Sequence, residues 1–155
     1  MADFVIRAST ERPATACFEQ LLDWDAHAAV IPLTTLQHEG RPRIGQRFVA
    51  RTGLGRVGFD DVMEVTALRP PSGDGPGDQP GVVEVVKTGR VVGGLVRWTV
   101  TPSVSGADVE WTQRLTIAWL PTWADTLVGS VGRAAYGLGL RRLLRTGSPT
   151  DTRVT

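Results

Sequence analysis

The chain is short of the residues from which most enzyme centres are built. Its 155 residues include one cysteine, one tyrosine, two histidines and two methionines. A lone Cys17 closes no intrachain disulfide. With no cysteine or histidine at metal-ligand spacing beside it, it reads as a small core residue, at home in a reducing cytoplasm. No run approaches the roughly 18 apolar residues of a membrane span, and "MADFVIRAST", with an acid at Asp3 and no apolar centre, is not an export signal. Neither sign of charge is in surplus: 17 Lys and Arg stand against 16 Asp and Glu, a net +1. That balance, with a pI near 8.0, lacks the concentrated basic stripe of a nucleic-acid binder. No G-x-G-x-x-G follows a strand, no P-loop is present, and no Ser-His-Asp set or histidine cluster marks a nucleophile or a metal. "GLGRVG", from Gly53, has no helix after it to present a phosphate site. A cytoplasmic protein without cofactor or metal is expected.

What is there is mostly pattern. At 155 residues and 41% hydrophobic content, the chain can bury one sizeable core and has no room for a second domain. "DFVIRAS" alternates as a first strand. "TERPATACFEQLLDW" then shifts to helical spacing, with Pro13 in its first turn and Cys17, Phe18, Leu21 and Leu22 as a buried stripe. Trp24, Ala28 and Ile31 continue it into a second short helical piece ended before Pro32. From Thr34 to about Leu120 the period is two, with strands expected at "TTLQHE", "QRFVART", "GFDDVMEVTAL", "VVEVVKT", "RVVGGLVRWTV" and "ADVEWTQRLTIAWL". "PPSGDGPGDQPG" is a loop and "VSGAD" a tight turn. Gly93 and Gly94 fall inside a strand, where glycines mark a bend that lets a sheet curl. After Pro121 a helix runs to about Arg145, and the polar residues 147–155 are expected to be unstructured.

This order defines an α+β, helix-grip architecture: a curved seven-stranded antiparallel sheet wrapped around a long C-terminal helix, with two short helices after strand one plugging an end. A single domain over residues 1–146 is expected. Over nearly its whole length, on "GFDDVMEVTALRPP", "KTGRVVGG" and "VEWTQRLTIAWLP", the chain resembles the START-like (SRPBCC, Bet v 1-like) superfamily. Within it, the resemblance is to an actinobacterial-looking branch grouped with polyketide cyclases and dehydrases. The resemblance implies an internal apolar pocket. It does not choose among carriers, sensors and aromatase/cyclases.

The last helix carries four glycines between Thr126 and Leu140, each worth roughly 1 kcal/mol of helix stability relative to alanine. Projection at 100° per residue puts Leu127, Val131, Ala134 and Leu138 on one face. Ser130, Arg133 and Arg141 lie opposite, and Gly129, Gly132, Gly139 and Tyr136 form a flank bordering the apolar face. That flank either opens a cavity or allows close packing onto the sheet. Strand alternation then shows which polar groups point inward. Gln113 shares a face with Val109, Trp111, Leu115, Ile117 and Trp119. Asp61 shares one with Phe59, Met63 and Val65, and is either a functional acid or the partner of an arginine such as Arg90. In the resembled branch an acid often stands at the position of Gln113. An amide there cannot transfer protons, which leaves hydrogen bonding to a ligand carbonyl or hydroxyl.

Asp61, Tyr136 and His27 are the candidate catalytic groups, although His27 is equally a solvent-facing helical histidine. His38, before a turn, reads as exposed. The candidate ligand-binding set is Trp24, Phe48, Phe59, Asp61, Met63 and Trp98, with Trp111, Gln113, Leu115, Gly132 and Tyr136; its aromatics also serve as core. The leading expectation is a carrier or sensor of a small hydrophobic, lipid-like or polyketide-like molecule, acting as monomer or homodimer without nucleic acid or a membrane span. The alternative is a cofactor-independent cyclase/dehydratase assisting aldol closure of a poly-β-ketone. A third reading is an interaction module using Arg141, Arg142 and Arg145, which otherwise complement the helix dipole.

Overall fold

Where apolar residues alternate with polar ones, the chain forms strands that hide every second side chain. The computed structural model describes residues 2–26, 34–54, 57–90, 92–117 and 125–145. His27, Ile31 and Trp119 lie outside these ranges, as does the tail at 147–155, and the side chains of Phe59, Gly132 and Tyr136 lie outside the described set. The strands are β1 (Ala2–Thr10), β2 (Thr34–Gln37), β3 (Arg47–Leu54), β4 (Val57–Arg69), β5 (Gly81–Thr88), β6 (Val92–Ser103) and β7 (Gly106–Ile117). They form one antiparallel sheet in the order β1-β7-β6-β5-β4-β3-β2. Six strands follow one another as a meander, and β1 closes the far side by pairing with β7. The expected seven-stranded helix-grip sheet is present.

Curvature has two sources. At Gly94 the backbone takes φ +139°, and a Cβ there would lie 2.0 Å from the Arg114 carbonyl oxygen, so no side chain fits the bend. On the neighbouring pair, the register between β4 and β5 slips between Val65 and Ala67, a bulge that twists the sheet further. The bulge is a second bend beyond the one that Gly93 and Gly94 predict.

Helix α1 (Ala14–Leu21) buries Ala14, Cys17, Phe18 and Leu21, the i, i+3, i+4, i+7 stripe of a helix lying on a core. Pro13 is its N-cap rather than a first-turn residue, and has no side chain to offer the open N–H groups. Asp74 substitutes from the long loop: its Oδ1 accepts from Thr15 N at 2.7 Å and from Thr15 Oγ1 at 2.9 Å. The loop is thereby tied to the helix it caps. A helical turn at 24–26 follows. α1 packs on β5, β6 and β7 at the end of the sheet where β5 begins.

The long helix α2 (Asp125–Arg145) lies along β1 and touches α1. Its orientation corrects the helical projection. Ala134 and Leu138, expected inward, are exposed, Leu138 by 56%. Gly139, Leu140, Leu143 and Leu144 are buried instead. The projection rested on Leu127 and Val131 in the N-terminal half, where small apolar residues occupy every side. The leucines of the last two turns decide the rotation, because they bury far more area than alanine or glycine. The flank holding Gly139 is therefore the inward one over these last turns.

The two directions coincide along this contact. A methyl at Gly137 would sit 4.0 Å from Ile6 Cγ2, and Arg141, Leu144 and Arg145 line one cleft with residues 7–13, so α2 runs parallel to β1. Two strand residues equal about four to five helical ones in length. Gly132 is then level with Phe4, whose partner in the sheet is Gln113.

Two glycines give opposite expectations. At Gly137 an added methyl makes only ordinary contact, so Gly137→Ala should raise stability by up to about 1 kcal/mol. At Gly81 the methyl would lie 2.7 Å from both the Phe18 ring and Pro71, so Gly81→Ala should destabilise. Urea unfolding measures both, and loss of stability in Gly137→Ala would mean that α2 lies closer to β1 than described. Cys17 supplies a second test. Burial pushes its thiol up to about 11 against a small opposing effect of Arg12, so at pH 8 it should resist a disulfide reagent until the chain is unfolded. Prompt reaction of the native protein would contradict this placement.

Candidate functional site

The inner face of the sheet is mainly apolar. Under α1, Val65, Val83, Val85, Val100 and Val109 are fully buried. An aromatic series crosses above them. Trp24 stacks on Phe48 with centroids 4.7 Å apart, meets Trp98 at 5.6 Å, and Trp98 meets Trp111 edge-on at 5.1 Å. Four of the expected ligand-contacting aromatics thus pack first on one another, consistent with their role as core.

Three polar side chains interrupt this inner face, Gln113 in the row of Val65, Val85 and Val96, and Lys87 and Asp61 in the next two rows toward the other end of the strands. Asp61, Lys87 and Gln113 are 6%, 7% and 0% exposed. The register brings Lys87 and Asp61 together and sets Gln113 apart. Met63 pairs with Lys87, which pairs with Gly94, which pairs with Leu115. Gln113 stands one inward step from Leu115, in the row of Val96, Val85 and Val65, and Asp61 one step from Met63 in the opposite direction, so Gln113 and Asp61 are three strands and two inward steps apart. Lys87 Nζ donates to Asp61 Oδ2 and lies 3.6 Å from Met63 Sδ. The expected arginine partner is thereby corrected: Arg90 is exposed, and a buried lysine occupies the role. The sign was present in "VVEVVKT", where Val83, Val85 and Lys87 share one face, but the run reads as uniformly apolar until its last inward position.

The trio is not fully satisfied. Gln113 Oε1 accepts from Trp111 Nε1 at 3.1 Å, which fixes the amide with Nε2 pointing away. That Nε2 and Asp61 Oδ1 are buried without a hydrogen-bond partner among the described residues. A buried orphan costs about 1 to 3 kcal/mol, so two of them on one inner face need a reason. Desolvation raises the Asp61 carboxyl above its ordinary 3.8, against the attraction of Lys87 and its hydrogen bond. The group is therefore an easier proton carrier than a surface aspartate.

The other expected site residues divide simply. Trp24, Phe48, Met63, Trp98 and Trp111 are buried, and Leu115 is half-buried. His27 and the side chains of Phe59, Gly132 and Tyr136 lie outside the described set. His38, expected to be exposed, is half-buried, with Nδ1 3.2 Å from Gly40 O and Nε2 3.2 Å from Asp25 Oδ1. Among the described residues no group of three His, Cys, Asp or Glu is placed to hold a metal, and no helix is long and apolar enough to cross a membrane.

No protein-family model and no curated protein matches the chain. Solved structures do. The protein TTHA0849 of Thermus thermophilus superposes with a TM-score of 0.69 at 12% identity over 94% of this chain and 99% of that one. Zhui aromatase/cyclase from a Streptomyces species gives 0.64 at 11% identity over 92% and 90%. StfQ, a di-domain aromatase/cyclase of steffimycin biosynthesis, gives 0.66 at 19% identity over 94% of this chain and 49% of its own length, so this chain spans about half of it. These likenesses establish the fold: it is the helix-grip fold of SRPBCC, polyketide cyclase-like proteins.

The buried pair makes a prediction of sign and size. Lys87→Met alone, or Asp61→Leu alone, leaves an unpaired buried charge and should cost about 3 to 5 kcal/mol. The double variant should recover most of that loss, and strictly additive losses in urea unfolding would show that the two side chains do not interact. Asp61 binds its proton more tightly folded than unfolded, so ionising it weakens the fold. Stability relative to the double variant should fall as pH rises from near 3.8 through the raised folded-state value, and level off above it.

Proposed function

We propose that the chain binds a small hydrophobic molecule, lipid-like or polyketide-like, between α2 and the inner face of the sheet, as a carrier or sensor. One observation carries the reading: Asp61 Oδ1, an acceptor, and Gln113 Nε2, a donor, are buried and unsatisfied on one inner face. They stand three strands apart, so a compact guest meets one of them: a carbonyl oxygen accepts from Gln113 Nε2, or a hydroxyl donates to Asp61 Oδ1. The stretch of α2 before Gly137 is level with Gln113, and its sequence is rich in small residues, which suits such a guest. Aromatic faces of Trp98 and Trp111 border the space and suit a flat ring system. In this reading Leu115 and Met63 line the apolar sides, with Phe59 and Tyr136 as further wall residues.

The structural likeness to aromatase/cyclases and the raised Asp61 carboxyl favour a second reading. Asp61 would exchange protons with a poly-β-ketone while Lys87 holds the developing enolate charge and Gln113 orients a carbonyl. Tyr136 and His27 remain proposed proton carriers in that reading. Product analysis with a poly-β-ketone substrate separates the two: a cyclised product lost in Asp61→Asn supports catalysis, and an unchanged spontaneous product mixture leaves the carrier reading.

The binding reading is tested with two flat probes of similar size, naphthalene and a hydroxynaphthoquinone. A hydrogen bond from Gln113 Nε2 to a quinone oxygen, at about 1 kcal/mol, should make the hydroxyquinone bind about fivefold more tightly to the parent protein. Gln113→Leu should remove most of that preference while leaving naphthalene binding unchanged. Failure to bind either probe would refute the proposal.

A further inference from the structure

A second concavity lies outside the sheet's interior, and its chemistry is the reverse. Residues of β1 and the chain leading into α1 meet the last two turns of α2 around a cleft of about 890 Å3. Four arginines line it, Arg7, Arg12, Arg141 and Arg145, against a single carboxylate, Glu11. In a chain whose net charge is +1, that is a concentration of one sign that composition hides. Arg7 already bonds Glu110 at 2.8 Å and stands at the rim. Arg141 and Arg145 are one helical turn apart on the exposed stripe of α2, and Arg12 is half-buried at the entrance to α1.

The simplest account of the α2 arginines is that cations favour a helix C-terminus. That accounts for Arg141 and Arg145, and leaves Arg12 unexplained. Arg12 comes from a different element and lines the same hollow, where like charges repel unless an anion sits between them. Guanidinium groups present planar forks that match phosphate oxygens two at a time. The volume exceeds what a bare ion fills and falls within the range of small-molecule sites. Ala8, Ala16 and Leu144 give the hollow an apolar floor.

We infer that this cleft is a binding site for a small organic phosphate, its phosphate held among Arg12, Arg141 and Arg145 and a short apolar body lying on Leu144. It is separate from the interior site and does not depend on it.

The test is titration of the full chain with phenyl phosphate, inorganic pyrophosphate and, as control, benzyl alcohol, all at constant ionic strength and followed by amide chemical shifts and calorimetry. Phenyl phosphate should bind with shifts confined to residues 7–16 and 141–145, and the alcohol at least tenfold more weakly. Pyrophosphate binding as tightly as phenyl phosphate would overturn the role of the apolar floor. Arg12→Gln with Arg141→Gln should weaken phenyl phosphate at least tenfold and leave hydroxynaphthoquinone binding unchanged. Both side chains reach solvent, and thermal melting confirms that the variant is folded. Should it not fold, Arg141→Gln with Arg145→Gln, both exposed, carries the same expectation. Phosphate binding no stronger than that of the alcohol, or unaffected by these changes, would overturn the proposal.

Discussion

The Lys87–Asp61 pair is the constraint around which the inner face is organised. Two charges removed from water are costly, and their attraction offsets that cost only if geometry holds them together. Here the sheet does so: Lys87 and Met63 are cross-strand partners, and Asp61 follows Met63 on the same face. A slip of β5 by one residue against β4 would turn Lys87 to solvent, bring Val86 inward and leave Asp61 without its partner. The register is fixed beside the pair by buried Val65 against Val85, and on the other side of the bulge by Leu68 against buried Val83. The apolar residues thereby hold the polar ones in place.

That division extends to the helices. α1 and the leucines of α2's last turns cover the half that is filled with valine and tryptophan, where burial supplies most of the stability. The N-terminal half of α2, poor in side-chain volume, is level with Gln113. A core closed with valine throughout would need no buried lysine, aspartate or glutamine. Retaining three such groups with two hydrogen-bonding atoms unmatched among the described residues makes sense if something other than the chain completes them.

Much of this was readable in the sequence, because strand alternation is a local property. Gln113 and Asp61 were identified as inward polar residues from their neighbours alone, and both are buried. Lys87 obeys the same alternation but ends an otherwise apolar strand, where a lysine is ordinarily a solvated terminus. Only pairing with β4 shows it to be inside, and pairing is not local. The rotation of α2 failed for a related reason. A helix rich in glycine and alanine has a weak apolar direction, so its orientation was set by Leu140, Leu143 and Leu144 meeting the sheet and α1, not by the average over its length. The helix-grip order of elements survived both misreadings, since it depends on the number and spacing of strands.

The two concavities would select different chemistry. Inside, Lys87 and Asp61 neutralise each other, so a guest gains no net charge attraction, and a phosphate dianion would lose its hydration with little in return. The interior therefore favours uncharged molecules with one or two oxygen functions. At the outer cleft, water stays near and arginines from two elements converge, so charge is welcome and apolar contact is limited to a narrow floor. The interior site is level with the start of β1 and the cleft with its end and the chain beyond it, so the ligands of each should bind without competing for the other.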